Sequence, residues 1–374
     1  MSIFDVDPAI LRRRTSIKWS RFEPDVLPMF VAEMDVQPAP AVVERLQRAI
    51  ADGDLGYPEL PFYQESFARF AEWMWDWQPD PATIKLSGDV MQGVRELTVA
   101  VTEPGAGVVI NPPVYPPFHS VVRSTGRKLV AVPMTEEGRL DLPALAEAFA
   151  TARPKAMLLC SPHNPTGVVH TRQELTELGL LAAEHDVVVI SDEIHAPLAG
   201  AGHVPFSAVP GAERSFVVTS ASKSWNLAAL KAGLLIPGAE GRDVLAALPG
   251  YVSDAASHLA VLAHSAALDG GRDWLQEATA AIADNKEHLK AELERLLPEV
   301  TYEPTEGTYL AWLDCSRLGL DHPGRRFHQV GRVRFNFGED FAAGAEQFVR
   351  MNLATSKPLI TEGVTRMAAS VPKP

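Results

Sequence analysis

The sequence contains few cysteines and no long apolar run, and each absence excludes a class of protein. Only Cys160 and Cys315 occur among 374 residues, so the chain encodes neither a disulfide framework nor a zinc site built from cysteine pairs. No segment approaches the roughly 20 consecutive apolar residues of a membrane-spanning helix. We therefore expect a cytoplasmic protein that does not span a membrane.

The sequence also lacks a basic excess. It carries 47 acidic and 34 basic residues, a formal net charge of -13 at pH 7, and such a surface does not attract the phosphates of nucleic acids or anionic lipids. The run Arg12-Arg13-Arg14 is followed by Thr-Ser-Ile-Lys-Trp instead of the apolar core of an export signal, so we interpret it as part of a solvated N-terminal arm. The expected partner is a small molecule, not a nucleic acid or a membrane.

The middle of the chain alternates short apolar, β-branched runs with stretches of helical periodicity. This alternation is typical of βαβ units and a mostly parallel sheet. Helices are predicted over residues 142–152 and 171–185, and the second begins with Thr171-Arg-Gln-Glu174, which fits a capping box. The predicted buried strands are residues 107–110, 128–132, 156–159, 187–190, 216–218 and 233–236.

The C-terminal third changes character. A helical pattern over about 273–297 stops at Pro298, and the short strand-like pieces 308–312 and 331–335 follow it. Because single cores stop growing near about 250 to 300 residues, a chain of this length is expected to form two lobes. The prediction is a large domain at 46–275 and a small α+β domain at 276–374, which an N-terminal arm at 1–45 joins.

Polar side chains follow three of the predicted parallel strands. Asn164 lies in the turn after 156–159, Asp192 comes directly after 187–190, and Lys223 follows 216–218. Ligands of open α/β sheets bind outside the carboxyl ends of the strands, so we expect the amide, carboxylate and amine to share one edge. Each alone is an ordinary turn former, helix cap or surface lysine, but their succession on neighbouring strands favours one site.

This trio meets the needs of pyridoxal phosphate. The cofactor requires a lysine that binds its aldehyde, an anion that keeps its ring nitrogen protonated, and a donor near its phenolic oxygen. Lys223, Asp192 and Asn164 are predicted to supply these, and Lys223 also to carry the α-proton of the substrate. Hydroxyls and a positive charge for the phosphate are offered by Ser220, Ser222 and Lys231.

The motifs resemble those of the fold-type I pyridoxal-phosphate enzymes, the aspartate aminotransferase superfamily. Within it the chain resembles the MalY/PatB branch of cystathionine β-lyases and C–S lyases, over nearly its whole length. The superfamily motifs are Ser161-Pro-His-Asn-Pro-Thr-Gly167, Ser191-Asp-Glu193 and Ser220-Ala-Ser-Lys223. The branch motifs are Leu27-Pro-Met-Phe-Val-Ala-Glu-Met-Asp35, Gly56-Tyr-Pro58, Asp192-Glu-Ile-His195 and Lys223-Ser-Trp-Asn-Leu-Ala228.

The resemblance implies a fold, a reaction and further site residues. The implied fold is α/β, with a mostly parallel seven-stranded sheet between helices in the large domain and a smaller α+β domain. The implied reaction is α,β-elimination of a thiol from L-cystathionine or a related cysteine S-conjugate, which leaves pyruvate and ammonia. The resemblance further implies that Tyr115 stacks on the cofactor, Arg350 grips the substrate carboxylate, and Tyr57 reaches the neighbouring phosphate across a homodimer interface.

Two positions depart from the wider superfamily. His195 stands where aminotransferases commonly have a tyrosine, and it either donates to the 3-oxygen of the cofactor or supports the site from outside. The loop Ser87-Gly-Asp-Val-Met-Gln-Gly93 lacks the usual glycine and hydroxyl pattern of the phosphate site. Backbone N–H groups of Val90 and Met91, at the start of a helix, remain as phosphate donors, and Asp89 is interpreted as a helix cap.

Three other functions fit some of these residues. An aminotransferase would use the same lysine, aspartate and arginine, and only the branch motifs favour the lyase. A binding protein that keeps the fold without turnover is disfavoured by the complete set of residues. A metal hydrolase would use Asp192, Glu193, His195 and either His163 or His203, but no His-Glu-x-x-His motif supports it, so we expect no metal.

Overall fold

The computed structural model describes residues 2–372, which divide into two compact units. The larger unit comprises Pro38–His163 and Val168–Asp273. The smaller unit combines the N-terminal residues through Gln37, the short segment Asn164–Gly167 and the C-terminal residues from Trp274. Within the described residues no helix is both long and apolar enough to cross a membrane.

Helices and strands alternate along most of the chain. The α-helices are α1 (Pro8–Leu11), α2 (Ile17–Ser20), α3 (Pro40–Asp52), α4 (Phe62–Trp75), α5 (Val90–Val101), α6 (Pro116–Ser124), α7 (Leu142–Ala152), α8 (Arg172–Glu184), α9 (Arg242–Ala247), α10 (Tyr251–Asp254), α11 (His258–Gly270), α12 (Arg272–Leu296), α13 (Pro323–Gln329) and α14 (Lys357–Ser370). The strands are β1 (Leu27–Pro28), β2 (Lys85–Ser87), β3 (Gly107–Ile110), β4 (Lys128–Ala131), β5 (Ala156–Cys160), β6 (Val188–Asp192), β7 (Phe216–Thr219), β8 (Gly233–Pro237), β9 (Leu310–Asp314), β10 (Val333–Arg334), β11 (Asn336–Phe337) and β12 (Phe348–Asn352).

A seven-stranded sheet in the order β2-β8-β7-β6-β5-β3-β4 forms the centre of the larger unit. Strands β3 to β7 run parallel, and β8 lies antiparallel to both β2 and β7. All residues of β5, β6 and β7 are buried, as expected for strands covered on both faces. The predicted mostly parallel sheet is confirmed, and each of its six predicted strands is present. The prediction that all six are buried is wrong for β4, whose residues are half-buried or exposed because it is the edge strand.

Two predicted helices of the larger unit form where the pattern placed them. Helix α7 covers the predicted residues, and α8 begins after Thr171. The predicted capping box is present, because Thr171 Oγ1 accepts from Glu174 N at 3.2 Å and Glu174 Oε2 accepts from Thr171 N at 2.7 Å. Reciprocal bonds of this kind satisfy two N–H groups that the first turn of a helix leaves without partners.

Helix α5 packs closely on the sheet because Gly93 has no side chain. A Cβ at this position would lie 2.4 Å from Leu235 Cδ2 and 3.1 Å from Val218 Cγ1. Val94 and Leu97 on the same helix are fully buried in the core beneath it. This packing brings the start of α5 to the end of β2, where the chain passes from strand to helix.

The smaller unit is built around an antiparallel sheet in the order β11-β12-β9 and a short parallel pair of β1 with β10. Its core contains Leu289 and Leu293 of α12, together with Val364 and Met367 of α14. Strand β10 lies within the predicted piece 331–335, and β9 overlaps the predicted piece 308–312, whereas β11 and β12 were not predicted. Its helices and small antiparallel sheet agree with the predicted smaller α+β domain.

Candidate active site

Three neighbouring parallel strands end at the same edge of the large sheet. In register, Asp192 at the end of β6 faces Cys160 of β5 and Val218 of β7. Lys223 lies in the loop that follows β7, and Ser161 N donates to Asp192 O at 3.0 Å. As predicted, Asp192 and the loop of Lys223 follow neighbouring strands at this edge.

The side chain of Asp192 is buried, with 3% of its surface exposed. Burial raises its pKa to about 7, and Glu193 adds to the rise, while the N–H of Ile194 and the charge of Lys223 oppose it. Ile194 N donates to Asp192 Oδ1 at 3.1 Å. A carboxylate held in this way is fully ionised at neutral pH only beside an additional cation, which a protonated pyridine nitrogen would supply.

Buried groups hold the loop that carries Lys223. Tyr63 Oη on α4 accepts from Ala221 N at 3.0 Å, and the indole of Trp225 donates to Gly271 O at 2.9 Å. Trp225 is fully buried, with its ring edge-to-face against Phe70 at 5.6 Å. Tyr63 of α4 and the carbonyl of Gly271, between α11 and α12, thus bind residues on either side of Lys223 and hold the loop at the sheet edge.

A second side chain supports this loop through Tyr63. His264 Nδ1 on α11 lies 3.1 Å from Tyr63 Oη, and the two rings meet edge-to-face at 5.1 Å. Burial raises the pKa of Tyr63 and lowers the pKa of His264 to about 4, so both are neutral and the phenol donates to the imidazole. Sequence reasoning missed this pair, although a tyrosine and a histidine among apolar helix residues signal buried groups that need partners.

The predicted phosphate site gathers at the start of α5. Lys231 Nζ lies 3.0 Å from Asp89 Oδ2, and Asp89 caps the helix by accepting from Gln92 N at 2.8 Å. A Cβ at Gly233 would lie 2.7 Å from Ser87 Oγ and 3.2 Å from Val90 N, so this glycine allows β8 to approach the helix start.

The first-turn N–H groups of α5, including those of Val90 and Met91, suit an anion, and Lys231 adds a positive charge that Asp89 partly offsets. The interpretation of Asp89 as a helix cap is confirmed.

The two predicted phosphate serines lie in the loop before Lys223. Ser220 Oγ donates to Ala232 O at 2.8 Å and accepts from Ser222 N at 3.2 Å. Ser220 is buried and Ser222 is half-buried. The hydroxyl of Ser220 thus fixes the loop and links it to Ala232, the residue after Lys231.

Glu193 is a buried carboxylate next to Asp192, and the sequence predictions name it only as a ligand of the alternative metal hydrolase. Glu193 Oε1 accepts from Ser191 Oγ at 2.9 Å and from Phe206 N at 2.8 Å. Its Oε2 lies 2.8 Å from His203 Nε2. Both oxygens thus bind protein donors, and in residues 2–372 no group of three or more His, Cys, Asp or Glu side chains could hold a metal ion.

Three predicted site residues of the larger unit differ widely in exposure. His195 is buried directly before the 3-10 helix Ala196–Gly202. Tyr115 is half-buried at the start of α6, with its ring edge-to-face against Phe118 at 6.3 Å. Tyr57 is 90% exposed in the segment between α3 and α4.

The smaller unit brings the other two predicted residues together. Arg350 on β12 is 5% exposed, and its Nη1 donates to Asn164 Oδ1 at 2.8 Å. Its Nη2 donates to Asn336 Oδ1 at 2.6 Å and to Phe30 O at 3.2 Å. These three acceptors are neutral. The fork geometry of arginine suits a bidentate carboxylate.

Comparisons with known proteins agree on one family. The family model described as aminotransferase class I and II matches residues 24–373. A Mycobacterium leprae relative, provisionally named a cystathionine beta-lyase, is 42% identical, and the match covers 96% of each chain. The cystathionine beta-lyase of Corynebacterium glutamicum is 33% identical over 96% of this chain and 97% of that protein. The pyridoxal-phosphate-bound C-S lyase from Staphylococcus hominis is 26% identical, with a TM-score of 0.92 and coverage of 99% of both chains.

Proposed function

The chain belongs to the aminotransferase class I and II family, and from this premise we propose that it is a pyridoxal-phosphate-dependent C–S β-lyase of the cystathionine β-lyase type. Its fold is the fold-type I architecture that the sequence motifs implied. The observation that carries the proposal is the buried carboxylate of Asp192 at the sheet edge, with the loop of Lys223 on the next strand.

The residues of the larger unit fit this cofactor. Asp192 is a buried anion that needs a cation, and the start of α5 with Lys231 offers N–H donors and a positive charge for a phosphate. When bound, pyridoxal phosphate supplies an electron sink that stabilises negative charge at the substrate α-carbon. Ser220, Ser222, Val90 and Met91 are the further proposed phosphate partners.

Lys223 has two proposed tasks. Its Nζ would hold the cofactor at rest and, when freed, would take the proton from the substrate α-carbon. The buried supports of the loop, Tyr63 and Trp225, keep the amine in one place between these tasks. The bond between the β-carbon and sulfur then breaks, and the thiol leaves with a proton. With one water added, the rest of the substrate becomes pyruvate and ammonia.

The other proposed roles concern orientation. Arg350 binds the substrate α-carboxylate through its guanidinium fork. The carboxylate then replaces neutral acceptors of the guanidinium. Asn164 is the proposed partner of the cofactor 3-oxygen, Tyr115 stacks on the ring, and His195 either donates to the 3-oxygen or supports the site from outside. An arginine fixed by two asparagines is pre-organised, so little side-chain entropy is lost when the substrate binds.

We also propose that the enzyme is a cytoplasmic homodimer. Tyr57 is 90% exposed, and Leu55, Leu60 and Ile50 nearby are 60%, 57% and 61% exposed. Apolar side chains that cluster in one exposed segment favour an interface, and a second copy would bring Tyr57 to the neighbouring phosphate. Both cysteines are free and buried, which supports a reducing compartment.

The test of the proposed function separates elimination from transamination. Purified protein reconstituted with pyridoxal phosphate is given L-cystathionine without any 2-oxo acid, and pyruvate and free thiol are measured together. Equal amounts of both products are expected over many turnovers. Strict dependence on an added 2-oxo acid, with no thiol released, would instead identify an aminotransferase.

A further inference from the structure

The nitrogen Nη2 of Arg350 already has two acceptors, the same number as its hydrogens. It donates to Asn336 Oδ1 at 2.6 Å and to Phe30 O at 3.2 Å, while Nη1 donates to Asn164 Oδ1 at 2.8 Å. A carboxylate forms two parallel hydrogen bonds with a guanidinium either at Nη1 and Nη2 or at Nε and Nη2, because Cδ blocks the third edge. Both edges include Nη2. A bidentate carboxylate therefore displaces Asn336 or Phe30.

The carbonyl of Phe30 is held in place by its neighbours in the backbone. Asn352 N donates to Met29 O at 2.9 Å, and Asn352 Nδ2 donates to Val31 O at 2.7 Å. Asn352 is fully buried, and Phe30 is buried as well. Moving the Phe30 carbonyl would disturb the hydrogen bonds on both sides of it and leave buried groups without partners, which is costly. Phe30 O is therefore a fixed acceptor of Arg350.

Asn336 differs from Phe30 because its acceptor is the end of a side chain. It lies on β11 directly opposite Arg350 of β12, and it is half-buried. Rotation about its side-chain torsions moves the amide off Nη2 without any change in the backbone, and the released amide can reach water. Arg350 stays in place without it, held by Asn164 Oδ1, Phe30 O and the ring of Phe341, whose centre lies 4.9 Å from Cζ. Asn336 is thus the acceptor that can leave.

We propose that the side chain of Asn336 exchanges with the substrate α-carboxylate: it binds Nη2 of Arg350 when no substrate is bound, and the carboxylate displaces it. This inference rests on the proposed function, because it takes Arg350 as the site of the substrate α-carboxylate. Asn336 is then a positioning residue that also sets the affinity for the carboxylate. A neutral amide yields to an anion, since a hydrogen bond between two charged groups is the stronger one, whereas an anionic side chain at this position would not yield.

The experiment uses two variants that should change affinity in opposite directions. The holoenzyme is titrated with L-alanine, which has the α-carboxylate but no leaving group, and binding is followed by the visible absorbance of the bound cofactor. Asn336→Ala removes the competing acceptor and should bind L-alanine at least about threefold more tightly. Asn336→Asp pairs with Arg350 and should bind it at least about tenfold more weakly. The KM for L-cystathionine should move in the same two directions, with kcat changed by no more than about twofold.

Two controls isolate the carboxylate. Ethylamine is L-alanine without its carboxylate, so its affinity should differ by no more than about twofold among wild type, Asn336→Ala and Asn336→Asp. An unchanged affinity for ethylamine also shows that both variants are folded around the cofactor. The matched control for the added charge is Gln329→Glu, at an exposed residue at the end of α13. It should change the affinity for L-alanine by no more than about twofold, because exposed charges are screened.

The outcomes separate this inference from the proposed function. Weaker binding of L-alanine by both variants would show that Asn336 stays on Arg350 while the substrate binds, and would overturn the inference, as would an affinity that neither variant changes. Equal changes for L-alanine and ethylamine would show an effect on the whole site and overturn it as well. The proposed function survives these results if wild-type protein releases pyruvate and thiol from L-cystathionine. Wild-type protein that does neither, and whose absorbance L-alanine does not change, would overturn both.

Discussion

The loop of Lys223 and the segment of Tyr57 differ in how their own chain holds them. The first is enclosed: Trp225 is fully buried and Tyr63 binds the backbone beside the lysine. The second exposes Tyr57 by 90% and Leu55 by 60%. The loop of Lys223 is held by residues of its own chain, whereas the exposed apolar residues of the Tyr57 segment are the basis of the proposed homodimer.

The largest effect is expected for a substitution of Lys223, in the enclosed loop. Lys223→Ala should lower pyruvate release from L-cystathionine by about a thousandfold or more, because it removes the proposed proton carrier and the covalent attachment. The fold should persist, since Lys223 is not part of the buried packing. Lys128→Ala, at an exposed lysine of β4, is the control and should keep full activity. Activity in Lys223→Ala close to wild type would reject the proposed role.

Asp192→Asn should change activity and stability in opposite directions. Activity should fall by about a hundredfold, because a neutral amide does not hold a protonated ring nitrogen. In the apoprotein the folded-state pKa of Asp192 is about 7, above its ordinary value of 3.8, so the folded state holds the proton more tightly than the unfolded state.

The free energy of unfolding of the wild-type apoprotein therefore decreases as pH rises from about 4 to about 7. The Asp192→Asn variant has no carboxyl group there to ionise, so its free energy of unfolding does not fall for this reason. Urea denaturation should find the variant apoprotein more stable by up to about 4 kcal/mol at pH 8, and nearly unchanged near pH 4. A variant that is less stable than wild type at pH 8 would contradict the burial argument.

Tyr63→Phe tests whether the buried support of the loop matters. It leaves Ala221 N without its acceptor, at a cost of about 1 to 3 kcal/mol in the free energy of unfolding. We expect kcat to fall more than KM changes, because the lysine is displaced and the substrate contacts are not. Tyr302→Phe is the matched control: Tyr302 is buried, and its Oη has no hydrogen-bond partner in the described chain, so its loss should be neutral or stabilising.

The smallest effect on stability is expected for Tyr57, in the exposed segment. Tyr57→Ala should change the free energy of unfolding of one chain by no more than about 0.5 kcal/mol, since the side chain makes little contact within it. Sedimentation velocity should show weaker dimerisation, and the affinity for pyridoxal phosphate should fall with it. Leu180→Ala, at an equally apolar residue that is 53% exposed on α8, should affect neither. A monomeric wild type would contradict the proposed dimer interface at the Tyr57 segment.

The parts of the structure that could be predicted depend on local patterns. The strands that end at Asp192 and before Lys223 are continuous apolar runs, and polar residues at their ends were visible in the sequence. Strand β2 has only three residues, and the antiparallel direction of β8 depends on pairing with β2 and β7, which no local pattern encodes. The domain limits at 45/46 and 275/276 and the roles of the site residues stay predictions.

The supports of the site could not be predicted because their contacts are distant in sequence. Tyr63 and His264 are 201 residues apart in sequence and meet because their helices, α4 and α11, pack against each other. The pairing of Glu193 with His203 likewise depends on the turn that follows β6. Sequence motifs identify residues that a cofactor requires, whereas residues that hold them follow from packing.

The central claim is that Lys223 binds pyridoxal phosphate. The most direct measurement is borohydride reduction of the reconstituted protein, followed by proteolysis and mass spectrometry of the lysine-containing peptides. We expect a single phosphopyridoxyl group, carried by the peptide that contains Lys223, and loss of the yellow colour of the protein on reduction. A label on another lysine, such as Lys231 or Lys18, or a reconstituted protein that is colourless and carries no label, would contradict the account.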